Sequence, residues 1–142
     1  MNNVFIDTNI LIYFSYDKSD FHEKAKAKLK ELSKENQLFI SNQIILEYLN
    51  TITNEKVFKE NTITTKEALN NIDLFLNFIE IADFPVDYED IKNGLLKYNL
   101  TRNKIFDLNI FLTMQENNIK TILTVNKKDY EIFNNDISVL SL

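Results

Sequence analysis

Short apolar runs alternate along the chain with longer stretches in which apolar residues recur every three or four positions. The short runs are typical of buried strands, and the longer stretches of amphipathic helices. Strands are predicted at 4–6, 38–40, 84–86, 119–125 and 137–140. Helices are predicted at 8–14, 20–35, 42–50, 64–79, 87–98, 104–117 and 127–133. Strands separated by helices predict an α/β fold, in which a parallel sheet of about five strands is flanked by helices on both faces.

Two pairs of residues have the spacing of a helix capping box. Asp20 stands three residues before Glu23, and Thr64 stands three residues before Glu67. In a capping box the first side chain and the acid each accept a hydrogen bond from the other residue's backbone amide. Helices are therefore expected to open at these two points.

The length and composition indicate one globular domain over residues 1–142, with 44% hydrophobic and 26% charged residues. The chain has no cysteine and one histidine, His22, so thiolate and histidine-rich metal sites are excluded. The net charge of −5 means that any attraction to nucleic acid has to be local or carried by metal ions. No apolar run approaches the ~20 residues that span a bilayer, and no signal peptide is visible, so a cytoplasmic location is expected.

Two acids occupy positions where a carboxylate calls for an explanation. Asp7 directly follows the first predicted strand, where it can bind a metal ion, cap the next helix, or do both. Glu47 lies in a helix with apolar neighbours on both sides. It is either on a solvated face or in a partly buried place, where a carboxylate needs a partner or a metal ion.

Two further acids lie later in the chain. Asp107 is the one charged residue between Lys104 and Glu116. A position on the solvent-exposed surface does not readily explain a single acid in so apolar a segment. Asp129 follows the strand at 119–125; it can join a metal site, or simply occupy the first turn of a helix capped by Asn126.

Acids that follow adjacent parallel strands can meet, because neighbouring strands are only ~5 Å apart. Several carboxylates in one crevice repel one another and take up protons unless a cation is present. Oxygen ligands without Cys or His favour Mg²⁺ or Mn²⁺, and such an ion supports phosphodiester hydrolysis. Arg102 and Lys104 lie just before Asp107, where they could contact a phosphate.

The segments that carry these acids resemble those of the PIN-domain ribonucleases, and especially of the VapC-type toxins of bacterial toxin–antitoxin pairs. The similar segments are 4–13, 40–48, 106–110 and 123–130. The resemblance implies a PIN-like fold and a Mg²⁺- or Mn²⁺-dependent endoribonuclease that acts on RNA. It also implies a homodimer and a cognate antitoxin that covers the crevice.

The resemblance also implies a role for individual residues. Asp7, Glu47 and Asp107 would hold the metal ion, and Asp129 would assist catalysis. Thr8, Asn9 and Thr124 would orient carboxylates or water around the ion. Many relatives have an acid where Asn126 stands, so here Asp129 would supply the fourth negative charge.

Two other hypotheses fit the same residues. The neutral Asn126 is compatible with a PIN-like module that binds RNA or protein without cutting it. An acid after the first strand is also found in haloacid-dehalogenase-like phosphatases, where Asp7 would be the nucleophile. That family has a second aspartate two residues later, whereas this chain has Asn9.

Overall fold

Every strand of the central sheet runs parallel to its neighbours. The computed structural model describes residues 2–142, and within them the sheet has five strands in the order β3-β2-β1-β4-β5. The strands are Asn2–Ile6 (β1), Asn36–Ile40 (β2), Ile79–Ile81 (β3), Thr121–Leu123 (β4) and Ser138–Leu140 (β5). The predicted α/β class and parallel sheet are confirmed.

The central strand β1 is covered on both faces. Val4, Phe5 and Ile6 are all buried, and successive residues of a strand point to opposite faces of the sheet. The chain builds one side of the sheet through β2 and β3 before it crosses to β4 and β5. The order therefore reverses between β1 and β4, and in open α/β sheets ligands bind beyond the carboxyl ends of the strands at such a point.

Helices connect the strands in chain order. They are Thr8–Ser15 (α1), His22–Glu35 (α2), Asn42–Ile52 (α3), Glu55–Phe58 (α4), Thr65–Phe75 (α5), Tyr88–Tyr98 (α6) and Lys104–Glu116 (α7). Short 3₁₀ segments occupy Lys59–Asn61 and Lys127–Phe133. None of the helices within residues 2–142 is long and apolar enough to cross a membrane.

One predicted capping box forms and the other does not. Thr64 and Glu67 bond each other's backbone amides at the start of α5, as expected. The box expected at Asp20 and Glu23 is wrong, because α2 begins later, at His22, and no side chain caps it. The turn before α2 is held instead by Ser19, whose hydroxyl oxygen accepts the Phe21 backbone N–H at 3.1 Å.

The third strand was predicted at 84–86, and this is wrong. The strand is Ile79–Ile81, which follows the end of α5 at Phe75 after a short turn. Ile79 is buried beside Leu38 of β2, whereas Phe84 is 64% exposed. Pro85 has no N–H to donate to a strand ladder, which disfavours pairing at 84–86.

The single glycine lets two helices approach closely at the side of the sheet that carries α7. A Cβ atom added to Gly94 of α6 would lie 2.9 Å from Cδ1 of Leu108, which is fully buried on α7. Leu108 directly follows Asp107 in the chain. Gly94 therefore helps to set the position of the helix that carries Asp107.

Candidate active site

A cavity of about 280 Å³ lies beyond the carboxyl ends of β1 and β4. All four acids singled out in the sequence line it, although they come from four separate segments of the chain. We call this cavity the acidic pocket; its walls are Asp7, Thr8, Asn9, Glu47, Asn50, Thr51, Asp107, Ile110, Asn126, Asp129 and Tyr130.

Asp7 is fixed at the base of the acidic pocket. It follows β1 and is the N-cap of α1, where Oδ1 accepts the Thr8 backbone N–H at 2.9 Å. Oδ2 accepts the Thr124 hydroxyl at 2.7 Å across the β1–β4 pair. Burial raises the pKa of Asp7 above its usual value. The two hydrogen bonds lower this pKa, whereas the negative charges of Glu47 and Asp129 raise it. Asp7 is therefore both a helix cap and a buried acid.

Glu47 projects from α3 and is held by two neutral donors. The Thr8 hydroxyl donates to its Oε2 at 2.6 Å, and the Gln43 side-chain amide donates to its Oε1 at 3.2 Å. Gln43 also donates to the Phe106 carbonyl at 3.2 Å, and its own oxygen accepts the Asn109 amide at 2.6 Å. This network joins the Glu47 carboxylate to α7.

Asp107 and Asp129 share a lysine. Lys104 Nζ lies 3.0 Å from Oδ1 of Asp129 and 3.9 Å from Oδ2 of Asp107. Burial, followed by the negative charge of Asp129, raises the pKa of Asp107 from 3.8 to about 6, although Lys104 acts in the opposite direction. This corner of the acidic pocket holds more negative charge than the lysine neutralises.

The other residues predicted near the site fall into two groups. Thr8, Asn9 and Asn126 line the acidic pocket, and Thr124 reaches it through its bond to Asp7. The Thr124 oxygen also accepts the Asn126 backbone N–H at 3.0 Å. Arg102 is exposed in the turn before α7, with a left-handed φ of 55°, and does not line the pocket.

Six residues near the acids were not anticipated from the sequence, and three of them, Asn50, Thr51 and Ile110, simply line the acidic pocket. Gln43 and Asn109 form the amide network described above, and Tyr130 lines the pocket while being almost fully buried. The pKa of the Tyr130 hydroxyl is raised by burial and then by the surrounding carboxylates, so it stays protonated. Gln43 stands one helical turn before Glu47, which is the one signal in the sequence that could have indicated it.

The chemistry of this donor set suits a hard divalent cation. The acidic pocket presents carboxylate, hydroxyl and amide oxygens, and no Cys or His lines it. Within residues 2–142, no three acidic or histidine side chains are gathered tightly enough to hold an ion as they stand. The hydrogen bonds to Glu47 and the ion pairs of Lys104 keep several of these oxygens turned toward protein donors.

The sequence model of the PIN domain family matches residues 4–133. No curated protein sequence matches the chain significantly. The family match agrees with the PIN-like fold expected from the sequence and gives no support to a dehalogenase-like phosphatase.

Solved structures with the same fold include two VapBC structures and one of a VapC toxin. The VapBC2 structure from Rickettsia felis, bound to a promoter DNA fragment, matches with 20% identity and a TM-score of 0.66, covering 99% of this chain and 98% of that one. VapBC-1 from nontypeable Haemophilus influenzae matches with 17% identity and a TM-score of 0.63, covering 98% and 97%. The Mycobacterium tuberculosis toxin VapC20, described as cleaving the sarcin–ricin loop, matches with 15% identity and a TM-score of 0.59, covering 84% and 86%.

Proposed function

This chain belongs to the PIN-domain family, and on that premise we propose that it is a metal-dependent endoribonuclease, the toxin of a toxin–antitoxin pair. The observation that carries the proposal is the meeting of Asp7, Glu47, Asp107 and Asp129 in one pocket at the switch point of the sheet. Acids that gather from four distant segments repel one another, and this repulsion opposes folding. A function that needs negative charge in the pocket accounts for such an arrangement.

In this proposal Asp7, Glu47 and Asp107 would hold Mg²⁺ or Mn²⁺. The ion, when bound, supplies positive charge that stabilises a phosphodiester undergoing hydrolysis. Thr124 and the backbone of Thr8 fix the direction of the Asp7 carboxylate by their hydrogen bonds. The Thr8 hydroxyl does the same for Glu47, so this threonine couples the two carboxylates.

Asp129 and Lys104 complete the acidic pocket. Asn126 lines the pocket as a neutral amide, so Asp129 supplies the fourth negative charge. The Asp129 side chain is 39% exposed. Lys104 would contact a phosphate that approaches these acids; its side chain is half exposed, and its Nζ lies 3.0 Å from Asp129 and 3.9 Å from Asp107, which supports this role. Arg102 would contact the RNA backbone farther from the pocket.

The partners in this proposal follow from the same chemistry. The substrate is RNA, in line with the loop-cleaving activity stated for the M. tuberculosis relative. The inhibitor is an antitoxin, as in the VapBC complexes, and an Arg or Lys from it would fit the carboxylates of the acidic pocket. The remaining expectations are a homodimer and a cytoplasmic location.

The direct test is the Asp7→Asn variant in an RNA cleavage assay with Mn²⁺. Cleavage should fall by at least ~100-fold, on the scale at which removal of one group that stabilises the transition state acts. Asp73→Asn is the matched control, because Asp73 is an exposed carboxylate on α5 outside the acidic pocket. Undiminished cleavage by Asp7→Asn, or by the wild type in EDTA, would end the assignment.

A PIN-like module that binds RNA without cutting is the second candidate. Two observations favour it: Asn126 is neutral, and in the described residues no three acids stand together as a ready metal site. Calorimetric titration with Mn²⁺ separates the two candidates. A nuclease binds the ion in the wild type and loses that binding in Asp7→Asn, whereas a scaffold shows no binding above background in either.

A further inference from the structure

Tyr130 carries a hydroxyl group for which the protein supplies no hydrogen-bond partner. The residue lines the acidic pocket and is only 1% exposed. Within residues 2–142 its hydroxyl forms no hydrogen bond. Tyr48, which is equally buried, differs in this respect: its hydroxyl donates to Ser15 at 2.9 Å and accepts the Asn71 side-chain amide at 3.0 Å. A buried polar group without a partner costs free energy, so the Tyr130 hydroxyl calls for an explanation.

The Tyr130 hydroxyl opens into the acidic pocket. In the part of the chain that the structure describes, every fully buried side-chain oxygen and nitrogen has a hydrogen-bond partner. Since the Tyr130 hydroxyl has none, it is not fully buried, and the small exposed part of this residue includes the hydroxyl. The negative charges of all four acids of the pocket act on it and, after burial, raise the pKa of Tyr130. The hydroxyl therefore lies among these carboxylates.

The fold holds the Tyr130 ring in a fixed direction. Tyr130 belongs to the 3₁₀ segment Lys127–Phe133, in which residues three positions apart lie on the same face. Phe133 is that neighbour; it is fully buried, and its ring stacks on Phe111 of α7 with the centroids 4.2 Å apart. The packing of this segment on α7 fixes the hydroxyl before any ligand arrives, as is needed for a donor that stabilises charge.

Packing alone does not explain why the residue is a tyrosine. Phenylalanine, which the chain uses at 11 positions, would fill the same space without bringing in a polar atom. The carboxylates of the pocket receive their side-chain hydrogen bonds from Thr8, Gln43 and Thr124 instead. A phenol is protonated at neutral pH, so the proton of Tyr130 is available to an acceptor that enters the pocket.

We propose that the Tyr130 hydroxyl donates a hydrogen bond to a non-bridging oxygen of the RNA phosphate, which makes Tyr130 a catalytic residue. This inference rests on the proposed function, which brings the phosphate to the acidic pocket. A phosphate oxygen is a charged acceptor, and hydrogen bonds to charged groups are stronger than those between neutral groups. A donor without charge suits this place, because it stabilises the phosphate without competing with a divalent ion for the carboxylates.

The test is the Tyr130→Phe variant, which loses one oxygen atom and keeps the ring. Its kcat/KM for RNA cleavage with Mn²⁺ should fall roughly 10- to 150-fold, the range for loss of one hydrogen bond to a charged group. Its Mn²⁺ affinity in calorimetry should not change, because the hydroxyl contacts the phosphate and not the ion. Its urea midpoint should not fall, because the hydroxyl bonds no protein group.

Two tyrosines of the same chain serve as controls. Tyr98→Phe makes the same substitution outside the acidic pocket, where Tyr98 packs edge-on against Phe133, and cleavage should stay within about twofold of the wild type. Tyr48→Phe should lower the urea midpoint, since the Tyr48 hydroxyl has two protein partners. It shows that the denaturation assay detects the loss of a structural hydroxyl.

Three results would overturn the proposed contact. The first is cleavage by Tyr130→Phe that equals cleavage by Tyr98→Phe. The second is a lower urea midpoint for Tyr130→Phe, because the hydroxyl would then be structural. The third is weaker Mn²⁺ binding by Tyr130→Phe, because the hydroxyl would then act on the ion site and not on the phosphate.

Failure of this inference can be told apart from failure of the nuclease assignment. If the wild type cuts RNA and Tyr130→Phe cuts it equally well, the contact is wrong and the nuclease stands. If the wild type cuts no RNA, the affinity for a fluorescein-labelled single-stranded RNA is measured by fluorescence anisotropy with Mn²⁺. Weaker binding by Tyr130→Phe then means that the contact stands and the nuclease assignment falls. Equal binding, or no binding by the wild type, overturns the contact as well.

Discussion

Replacing Asp107 by asparagine should stabilise the metal-free protein at neutral and alkaline pH. The Asp107 side chain is only 20% exposed, and burial is the main reason that its pKa rises from 3.8 to about 6. The charges of Asp129, Asp7 and Glu47 raise it further, while Lys104 lowers it. Asparagine has nearly the same shape and carries no charge, so it removes the cost of holding an anion at this position.

The size and sign of the effect follow from the two pKa values. Between pH 3.8 and about 6 the folded protein binds more protons at this site than the unfolded chain does, so wild-type stability falls as the pH rises. Above about pH 6 the loss of stability caused by the charged Asp107 carboxylate has reached its full size. At 1.36 kcal/mol per pKa unit it is at most about 3 kcal/mol, and screening by solvent at a partly exposed group makes 1–3 kcal/mol the expected range.

Urea denaturation in EDTA buffers from pH 4 to pH 8 measures this directly. The free energy of unfolding of Asp107→Asn should exceed that of the wild type by about 1–3 kcal/mol at pH 8. The difference should be far smaller at pH 4, where the Asp107 carboxyl is protonated in the folded state. Asp73→Asn, at an exposed position, should stay within ~0.5 kcal/mol of the wild type throughout. The reasoning is refuted if Asp107→Asn gains nothing at pH 8, or gains the same amount at every pH.

Three further predictions follow from single contacts. Gln43→Ala removes one of the donors that hold Glu47 and should weaken Mn²⁺ binding about 10- to 100-fold in calorimetry; unchanged affinity would show that the amide network does not orient the ligand. Lys104→Met should move the pKa of Asp107 above its value of about 6, because it removes the charge that lowers it; a carboxyl titration followed by NMR with an equal or lower midpoint would contradict this. Thr64→Ala should cost about 1 kcal/mol in urea denaturation through loss of the capping box, and an unaltered midpoint would show the box to be inert.

The sheet could be predicted where a strand is marked by its own residues. Val4, Phe5 and Ile6 are consecutive apolar residues, which is typical of a strand buried on both faces, and β1 proves to be the central strand. The third strand could not be found this way. Ile79–Ile81 is interrupted by Glu80 and 84–86 by Pro85, so neither is a continuous apolar run. Pro85 argues against pairing at 84–86, but the choice of Ile79–Ile81 depends on the pairing of Ile79 with Leu38 of β2.

The acids were identifiable from the sequence, but their partners were not. Asp107 stands out as a single charge in an apolar helix, and Asp7 follows a clear strand. The hydrogen bond of Asn109 to Gln43 joins residues 66 positions apart, and no local periodicity encodes such a contact. Lys104 is closer to Asp129, 25 residues away, than to Asp107 one helical turn away, which also depends on how β4 and α7 pack.

If the proposed cation binds, the way in which the acids are compensated links the stability of this fold to that binding. Asp7 is held by Thr124 and a backbone amide, and Glu47 by a hydroxyl and by Gln43, all of which are neutral donors. Within residues 2–142, Lys104 is the one basic side chain that pairs with these four carboxylates. Neutral donors orient a carboxylate without cancelling its charge, so the folded state keeps a repulsion that the unfolded chain lacks. An ion that binds only the folded state adds RT ln(1 + [ion]/Kd) to its stability. Under the proposed function, the arrangement that positions these carboxylates would therefore also make the metal-free protein the less stable form.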